Sequence, residues 1–244
     1  MTLFFYCMIL KITLKLSPMK NQPNIEKIIC QHAELDEFFT GGFTIKASGS
    51  QAKELQKTAV EIGKCCKCGL QETRANTVPG EGNPNARLVF VGEAPGADED
   101  IQARPFVGRA GQLLDKIIAS MGLKRTDVFI CNIIKCRPPE NRDPRLEEIT
   151  FCLPYLQRQL EIIQPEIIVA LGAHAAKTLL QTDKPIGQLR GKFHDYQITP
   201  NSEPVRLMPT YHPAYLLRNY STENRRRVWE DMKKVTAQLG IDKN

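Results

Sequence analysis

A chain of 244 residues with 42% hydrophobic and 25% charged residues can bury one substantial core, or one domain with an appendage. The formal net charge of +6 favours polyanionic partners without requiring them. Sixteen glycines and sixteen prolines are ordinary for a loop-rich α/β domain. Three of the eight cysteines crowd into residues 65–68, a pattern of ligand supply that argues against a secreted disulfide scaffold.

In chain order, residues 3–16 (LFFYCMILKITLKL) are apolar but interrupted by Lys11 and Lys15. The run is too short to span a bilayer and lacks a basic leading segment and a small-residue cleavage site. The expectation is a misassigned start, with Met19 as the alternative, or a dispensable extension; the competing reading is a membrane-associating segment. Residues 1–50 are therefore set apart from a domain at 51–244. With no export signal, the protein is expected in the cytoplasm.

From residue 51 the pattern alternates between helical and strand periods. Ala52, Leu55, Ala59 and Ile62 recur at helical spacing ahead of the cysteine cluster. Residues 87–91 (RLVFV) read as a buried strand ending at Gly92. Gly111 to Met121 reads as a helix with Leu113, Leu114, Ile117 and Ile118 inward, and 128–134 (VFICNII) as a second strand. Asp143-Pro144 is expected to start a helix, with Asp as N-cap and Pro at the first position. Its apolar face would be Leu146, Ile149, Leu153, Leu156 and Leu160. Residues 166–171 give a third strand, Ala175 to Leu180 a helix, Val205 to Met208 a fourth strand, and 223–239 a basic final helix. This alternation predicts an α/β domain, a parallel sheet sandwiched by helices.

Ligands of such folds collect at the carboxyl ends of the strands. Those ends are Gly92-Glu93-Ala94-Pro95-Gly96, Asn132 to Cys136, Gly172, and Thr210-Tyr211-His212-Pro213. The cysteines Cys65, Cys68, Cys136 and Cys152 offer four soft thiolates from one chain, which suit an iron–sulfur cluster or a structural zinc. The separation of Cys68 from Cys136 makes a local zinc knuckle a poor fit, since its second pair normally closes within tens of residues. Spacing alone leaves cluster and zinc both open.

The motifs together resemble the family 4 uracil-DNA glycosylases, the iron–sulfur members of the uracil-DNA glycosylase superfamily. They are Gly92-Glu93-Ala94-Pro95-Gly96 with Glu99-Asp100, Arg104-Pro105-Phe106-Val107-Gly108, and Asn132 through Lys135-Cys136-Arg137-Pro138-Pro139. Asn141-Arg142, Pro144, Cys152 and His212-Pro213-Ala214-Tyr215-Leu216-Leu217-Arg218 complete the set, which spans about residues 60 to 235.

The resemblance implies a three-layer α/β/α sandwich around a four-stranded parallel sheet. It also implies a [4Fe–4S] cluster on Cys65, Cys68, Cys136 and Cys152, with Cys66 an extra thiol. The implied reaction is hydrolysis of the N-glycosidic bond of uracil in single- or double-stranded DNA, after the nucleotide is flipped out. Uracil would be held by Gly92, Glu93, Glu99, Phe106, Asn132 and His212. Phe106 would stack on the base, and Asn132 would read its edge by accepting from N3–H and donating to O4. Glu93 and His212 would be catalytic, Glu93 acting on water or the sugar cation and His212 donating to uracil O2. Glu99 would fill the space that excludes thymine's methyl group.

DNA contacts are expected from Gly108, Arg109 and Gly111 at a helix start, and from Leu216, Leu217 and Arg218 in a loop that wedges into the base stack. Arg225-Arg226-Arg227 would add phosphate contacts or form a solvated face. A related branch that traps uracil-DNA covalently carries a His-containing insertion after the Asn motif. Here Asn132 runs directly into Lys135-Cys136. A non-catalytic iron–sulfur or zinc DNA-binding module is the remaining alternative. The chain is expected to act as a monomer on uracil-containing DNA.

Overall fold

The computed structural model describes residues 49–241, so the expectations for residues 1–48 lie outside the described residues. Four apolar runs form adjacent parallel strands: β2 (Leu88–Gly92), β3 (Phe129–Asn132), β4 (Ile167–Leu171) and β6 (Val205–Thr210). Two short strands, β1 (Glu81–Gly82) and β5 (His194–Tyr196), pair antiparallel at the edges. The sheet is therefore six-stranded and mixed, in the order β1-β3-β2-β4-β6-β5, and not the expected four-stranded parallel sheet. Both added strands lack the apolar run that marks a buried strand, since neither has a fully buried residue.

The parallel strands are buried on both faces, and alternate residues supply two apolar clusters. Val89, Val91, Cys131, Ile168 and Ala170 pack with Leu55 of α1 (Ser50–Gly63) and Leu156 and Leu160 of α4 (Leu146–Ile163). Ala175, Ala176 and Leu179 of α5 (Ala173–Leu180) join the same cluster. Leu88, Phe90, Ile130, Ile167 and Val169 pack instead with Leu114 and Ile118 of α3 (Arg109–Ser120) and Val228, Met232 and Val235 of α8 (Thr222–Gln238). Shorter helices are α2 (Ala97–Gln102), α6 (Ile186–Leu189) and α7 (Pro213–Arg218).

Two helix expectations need correction. Helix α4 starts at Leu146 rather than after Asp143, because Glu148 reaches back to accept the Arg145 amide hydrogen at 2.8 Å and caps the helix there. Leu146 consequently projects outward at 80% exposure, while Glu148 and Gln159 turn inward. In α1 the buried residue of the third turn is Thr58, not Ala59. Thr58 is tolerated inside because its hydroxyl donates to Glu54 O at 3.0 Å.

The register places the site. Gly92 lies opposite Asn132, Val91 opposite Ala170, and Leu171 opposite Thr210. The four carboxyl ends are therefore level along one edge of the sheet. From β2 the chain moves first to β3 on one side and then to β4 on the other, which makes the β2–β4 crevice the topological switch point.

Candidate active site and cysteine pocket

A cleft of about 680 Å³ opens at that edge, walled by Glu93, Phe106, Asn132, His174, His212 and Arg218 among others. Asn132 ends β3 and is 1% exposed. Its backbone carbonyl accepts from Lys135 Nζ at 2.8 Å, yet its side-chain Oδ1 is buried with no hydrogen-bond partner. No protein group pairs with this acceptor, and leaving it unpaired costs about 1–3 kcal/mol, so it is poised to accept from a donor in the cleft.

Phe106 sits against that amide across Gly92. A Cβ on Gly92 would lie 2.4 Å from Asn132 Oδ1 and 2.6 Å from Phe106 Cζ, so only glycine lets the ring and the amide meet. Phe106 has φ +52°, a left-handed conformation that costs a bulky residue about 1–2 kcal/mol. Arg125 holds it there. Its guanidinium donates to Phe106 O at 3.2 Å and to Pro105 O, and pairs with Asp115 at 2.8 Å. Gly111 completes the clamp, since a Cβ there would fall 1.9 Å from Phe106 O.

His212 follows β6 and N-caps α7, its Nδ1 accepting from the Ala214 amide at 3.1 Å. That bond leaves the proton on Nε2. Burial, with the nearby Arg218 charge, lowers the His212 pKa to about 4, so the ring is neutral at physiological pH. The ring lies 5.6 Å from that of Phe106. Behind it Thr210 donates to the fully buried Asp231 at 2.6 Å, and Asp231 also accepts from Arg190 at 2.6 Å, anchoring the strand end. Glu93 is half-buried. Burial raises its pKa, His174 and Arg218 pull it down, and Asp143 pushes it up.

Several site residues serve differently from expectation. Glu99 reaches the cleft wall, but its carboxylate accepts the amide hydrogens of Gly96, Val107 and Gly108 at 3.1, 2.8 and 2.9 Å. It ties two loops together, and the Gly108 amide is thereby spent on a side chain rather than open to a phosphate. Gly111 serves close packing, and Arg109 is exposed. The stretch expected as a wedge loop is helix α7, in which Leu216 is only 3% exposed and part of the core. Leu217 and Arg218 face outward. Arg226 and Arg227 are engaged by Glu223 at 2.9 and 2.8 Å, so this stretch is a self-paired helix face.

Cys65, Cys68, Cys136 and Cys152 line a second, small pocket on the other side of Lys135, and Cys66 is exposed and outside it. Arg74 donates to Cys136 Sγ at 3.0 Å, and the Lys135 amide to Cys152 Sγ at 3.2 Å. Burial drives the Cys152 thiol up to about 12, so without a metal it stays protonated; coordination removes that proton outright. Four convergent sulfurs with N–H groups aimed at them fit an S₄ metal centre. Lys135 itself is 1% exposed, its Nζ donating to Asn132 O at 2.8 Å and Gln159 Oε1 at 2.7 Å. Sequence reasoning missed Lys135, Gln159, Arg125 and Asp231 as site supports, because the burial of three of them and the reach of Arg125 to the Phe106 carbonyl follow from how elements dock.

An α/β sheet whose strand ends gather a buried amide, a neutral imidazole and an aromatic ring offers groups that can hold a flat polar ring. The family model described as Uracil DNA glycosylase superfamily matches residues 79–233, and the chain belongs to that superfamily. Within it, relatives at 46–47% identity are type-4 enzymes. The type-4 uracil-DNA glycosylase of Saccharolobus solfataricus is 47% identical over 76% of this chain and 86% of its own length. That of Sulfurisphaera tokodaii is 47% identical over 74% of this chain and 83% of its own. That of Thermotoga maritima is 47% identical over 76% and 95%.

Proposed function

We propose that this protein excises uracil from single- or double-stranded DNA as a monofunctional glycosylase, in the first step of base excision repair. The observation that carries the reading is the buried, unpartnered Oδ1 of Asn132 beside Phe106. Uracil N3–H supplies the missing donor, and the amide nitrogen donates to O4. Cytosine reverses both groups and leaves buried polar atoms unpaired.

In the reaction, the nucleotide leaves the stack at a cost of a few kcal/mol and its base stacks on Phe106. The C1′–N1 bond breaks, its electron pair passing into the base, where negative charge builds on O2. His212 Nε2–H donates to that oxygen and stabilises it without transferring charge, because the ring is neutral. Glu93 faces the positive sugar and orients the water whose oxygen bonds to C1′. The water's proton is released and the departing base is protonated, giving an abasic site and free uracil.

The pocket on Cys65, Cys68, Cys136 and Cys152 would hold a [4Fe–4S] cluster. When bound it supplies iron–thiolate bonds that tie the end of α1 to β3 and α4. The catalytic domain would be 51–244, with 1–50 an extension it does not need, and the protein a cytoplasmic monomer. The two-sided burial of the sheet supports the three-layer α/β/α reading. Among the described residues, no helix is long and apolar enough to cross a membrane.

The test is an end-labelled oligonucleotide with one deoxyuridine, resolved on a denaturing gel with and without alkali. Strand breaks only after alkali are expected; no product from iron-loaded protein, or breaks without alkali, would overturn the reading. Zinc without iron or labile sulfide in anaerobically purified protein would overturn the cluster assignment.

A further inference from the structure

We propose that Glu93, Asp143 and His174 form a site for a divalent transition-metal ion at the cleft mouth, and that an ion held there silences excision. The second half rests on the role given to Glu93 above. The three residues come from separate elements: Glu93 follows β2, Asp143 precedes α4, and His174 is the second residue of α5. One donor atom from each lies within 4.8 Å of the others, and His174 Nε2 is 3.5 Å from Asp143 Oδ2. Among the described residues, none forms a hydrogen bond to the Glu93 carboxylate or the His174 ring. His174 and Asp143 stand at ion-pair distance, and the Glu93 carboxylate beside them has no hydrogen-bond partner among the described residues.

Donors each about 2.1 Å from one ion stand about 3.0–3.5 Å apart at angles between octahedral and tetrahedral. The His174–Asp143 separation already has this value, and Glu93 is the half-buried anchor toward which the more exposed pair can close. Two carboxylates and one imidazole suit Mn²⁺, Fe²⁺, Co²⁺, Ni²⁺ or Zn²⁺. Mg²⁺ and Ca²⁺ prefer oxygen alone, and Cu⁺ prefers sulfur. Three protein ligands leave positions for exchangeable water. A protonated His174 bridging the two carboxylates explains the same cluster without an ion, and metal binding separates the two.

The sign of the effect follows from charge. Glu93 presents a negative group to a sugar that becomes positive in the transition state. A divalent ion on that carboxylate reverses the local charge and withdraws the oxygen that orients water. His174 and Asp143 touch neither base nor sugar in the reaction above but stand beside Glu93, so each variant is read by its response to the ion and not by its basal rate.

The experiment uses the full-length, cluster-loaded protein and Mn²⁺ as the probe. Mn²⁺ favours carboxylate and imidazole over thiolate, so it does not compete for the cysteine pocket or Cys66. Loss of the free-ion electron paramagnetic resonance signal reads binding, and the deoxyuridine oligonucleotide reads excision. One Mn²⁺ per chain is expected, with affinity weakened ~10- to 100-fold in His174→Ala and again in Asp143→Asn. Wild-type excision should fall as Mn²⁺ binds and return with chelator, while excision by His174→Ala, whatever its rate in chelator, stays level over the same Mn²⁺ range. Absence of stoichiometric binding, or equal binding by wild type and both variants, would overturn the site. Binding without inhibition, or inhibition undiminished in His174→Ala, would overturn the silencing. Wild-type protein inactive even in chelator would overturn the glycosylase reading instead, while the binding isotherm still decides the site.

Discussion

The cleft and the cysteine pocket lie at opposite ends of the short stretch from Asn132 to Cys136, and they treat polar atoms in opposite ways. In the pocket two of the four sulfurs have donors: Arg74 reaches Cys136 and the Lys135 amide reaches Cys152. In the cleft Asn132 Oδ1 has none. A region that satisfies its own groups is organised for stability, whereas one that leaves a buried acceptor open is organised for a ligand. The difference predicts that substitutions in the pocket damage the fold and that those in the cleft damage turnover.

The largest effect should come from Cys136→Ser. A structural metal centre contributes on the order of 10–16 kcal/mol in small zinc domains, as much as the whole stability of a typical domain. Iron, labile sulfide and the cooperative thermal transition should all be lost, while Cys66→Ser keeps all three. Retention of iron and Tm in Cys136→Ser would remove the pocket side of the comparison. Asn132→Ala should do the reverse. Excision drops ~10²- to 10³-fold, the usual cost of one preorganised hydrogen-bonding group. Its Tm holds or rises, because an unpaired buried acceptor has gone. Full activity in Asn132→Ala would show that the open acceptor does not read the base.

Glu93 and His212 sharpen the cleft side through pH. Burial raises the Glu93 pKa, so on acidification Glu93 gains its proton at a higher pH than a free carboxylate does. His212 stays neutral until about pH 4. The acid limb of the rate profile therefore belongs to Glu93, with activity lost as pH falls. Glu93→Gln should cut the rate ~10²-fold and flatten that limb. A limb unchanged in Glu93→Gln would assign it elsewhere. Phe106→Ala follows with a loss of ~5- to 150-fold, the 1–3 kcal/mol of one base–aromatic stack. It should appear mainly in substrate affinity, measured as KM against kcat.

The contrast between the regions was only partly legible in the sequence. The four central strands could be read because burial on both faces forces an unbroken apolar run, as in Leu88–Gly92 and Ile167–Leu171. The edge strands could not, since two or three residues carry no period. Asn132, Phe106 and His212 were legible through the family motifs and level strand ends. Their supports were not: Arg125 grips Phe106 from a separate turn, and Gln159 meets Lys135 from the middle of α4. Such contacts follow from how elements dock. The loop ties of Glu99 were hidden for the same reason, because motif position carries no record of where its oxygens point.

Lys135 joins the two regions and gives the smallest and most discriminating prediction. Its Nζ bonds the Asn132 carbonyl on the cleft side, and its amide bonds Cys152 on the other. Lys135→Met keeps the amide and the volume but removes the two side-chain bonds. Asn132 O and Gln159 Oε1 lose donors at about 1–3 kcal/mol each, offset by relief from burying an ammonium among neutral partners. The net should be about 1–2 kcal/mol, a few degrees of Tm. Iron content should stay unchanged, because the bond to sulfur comes from the backbone. Excision should fall about tenfold, as the backbone that carries the Asn132 side chain loses its anchor. Iron loss in Lys135→Met would show that the two regions form one cooperative unit, coupled through this single buried side chain.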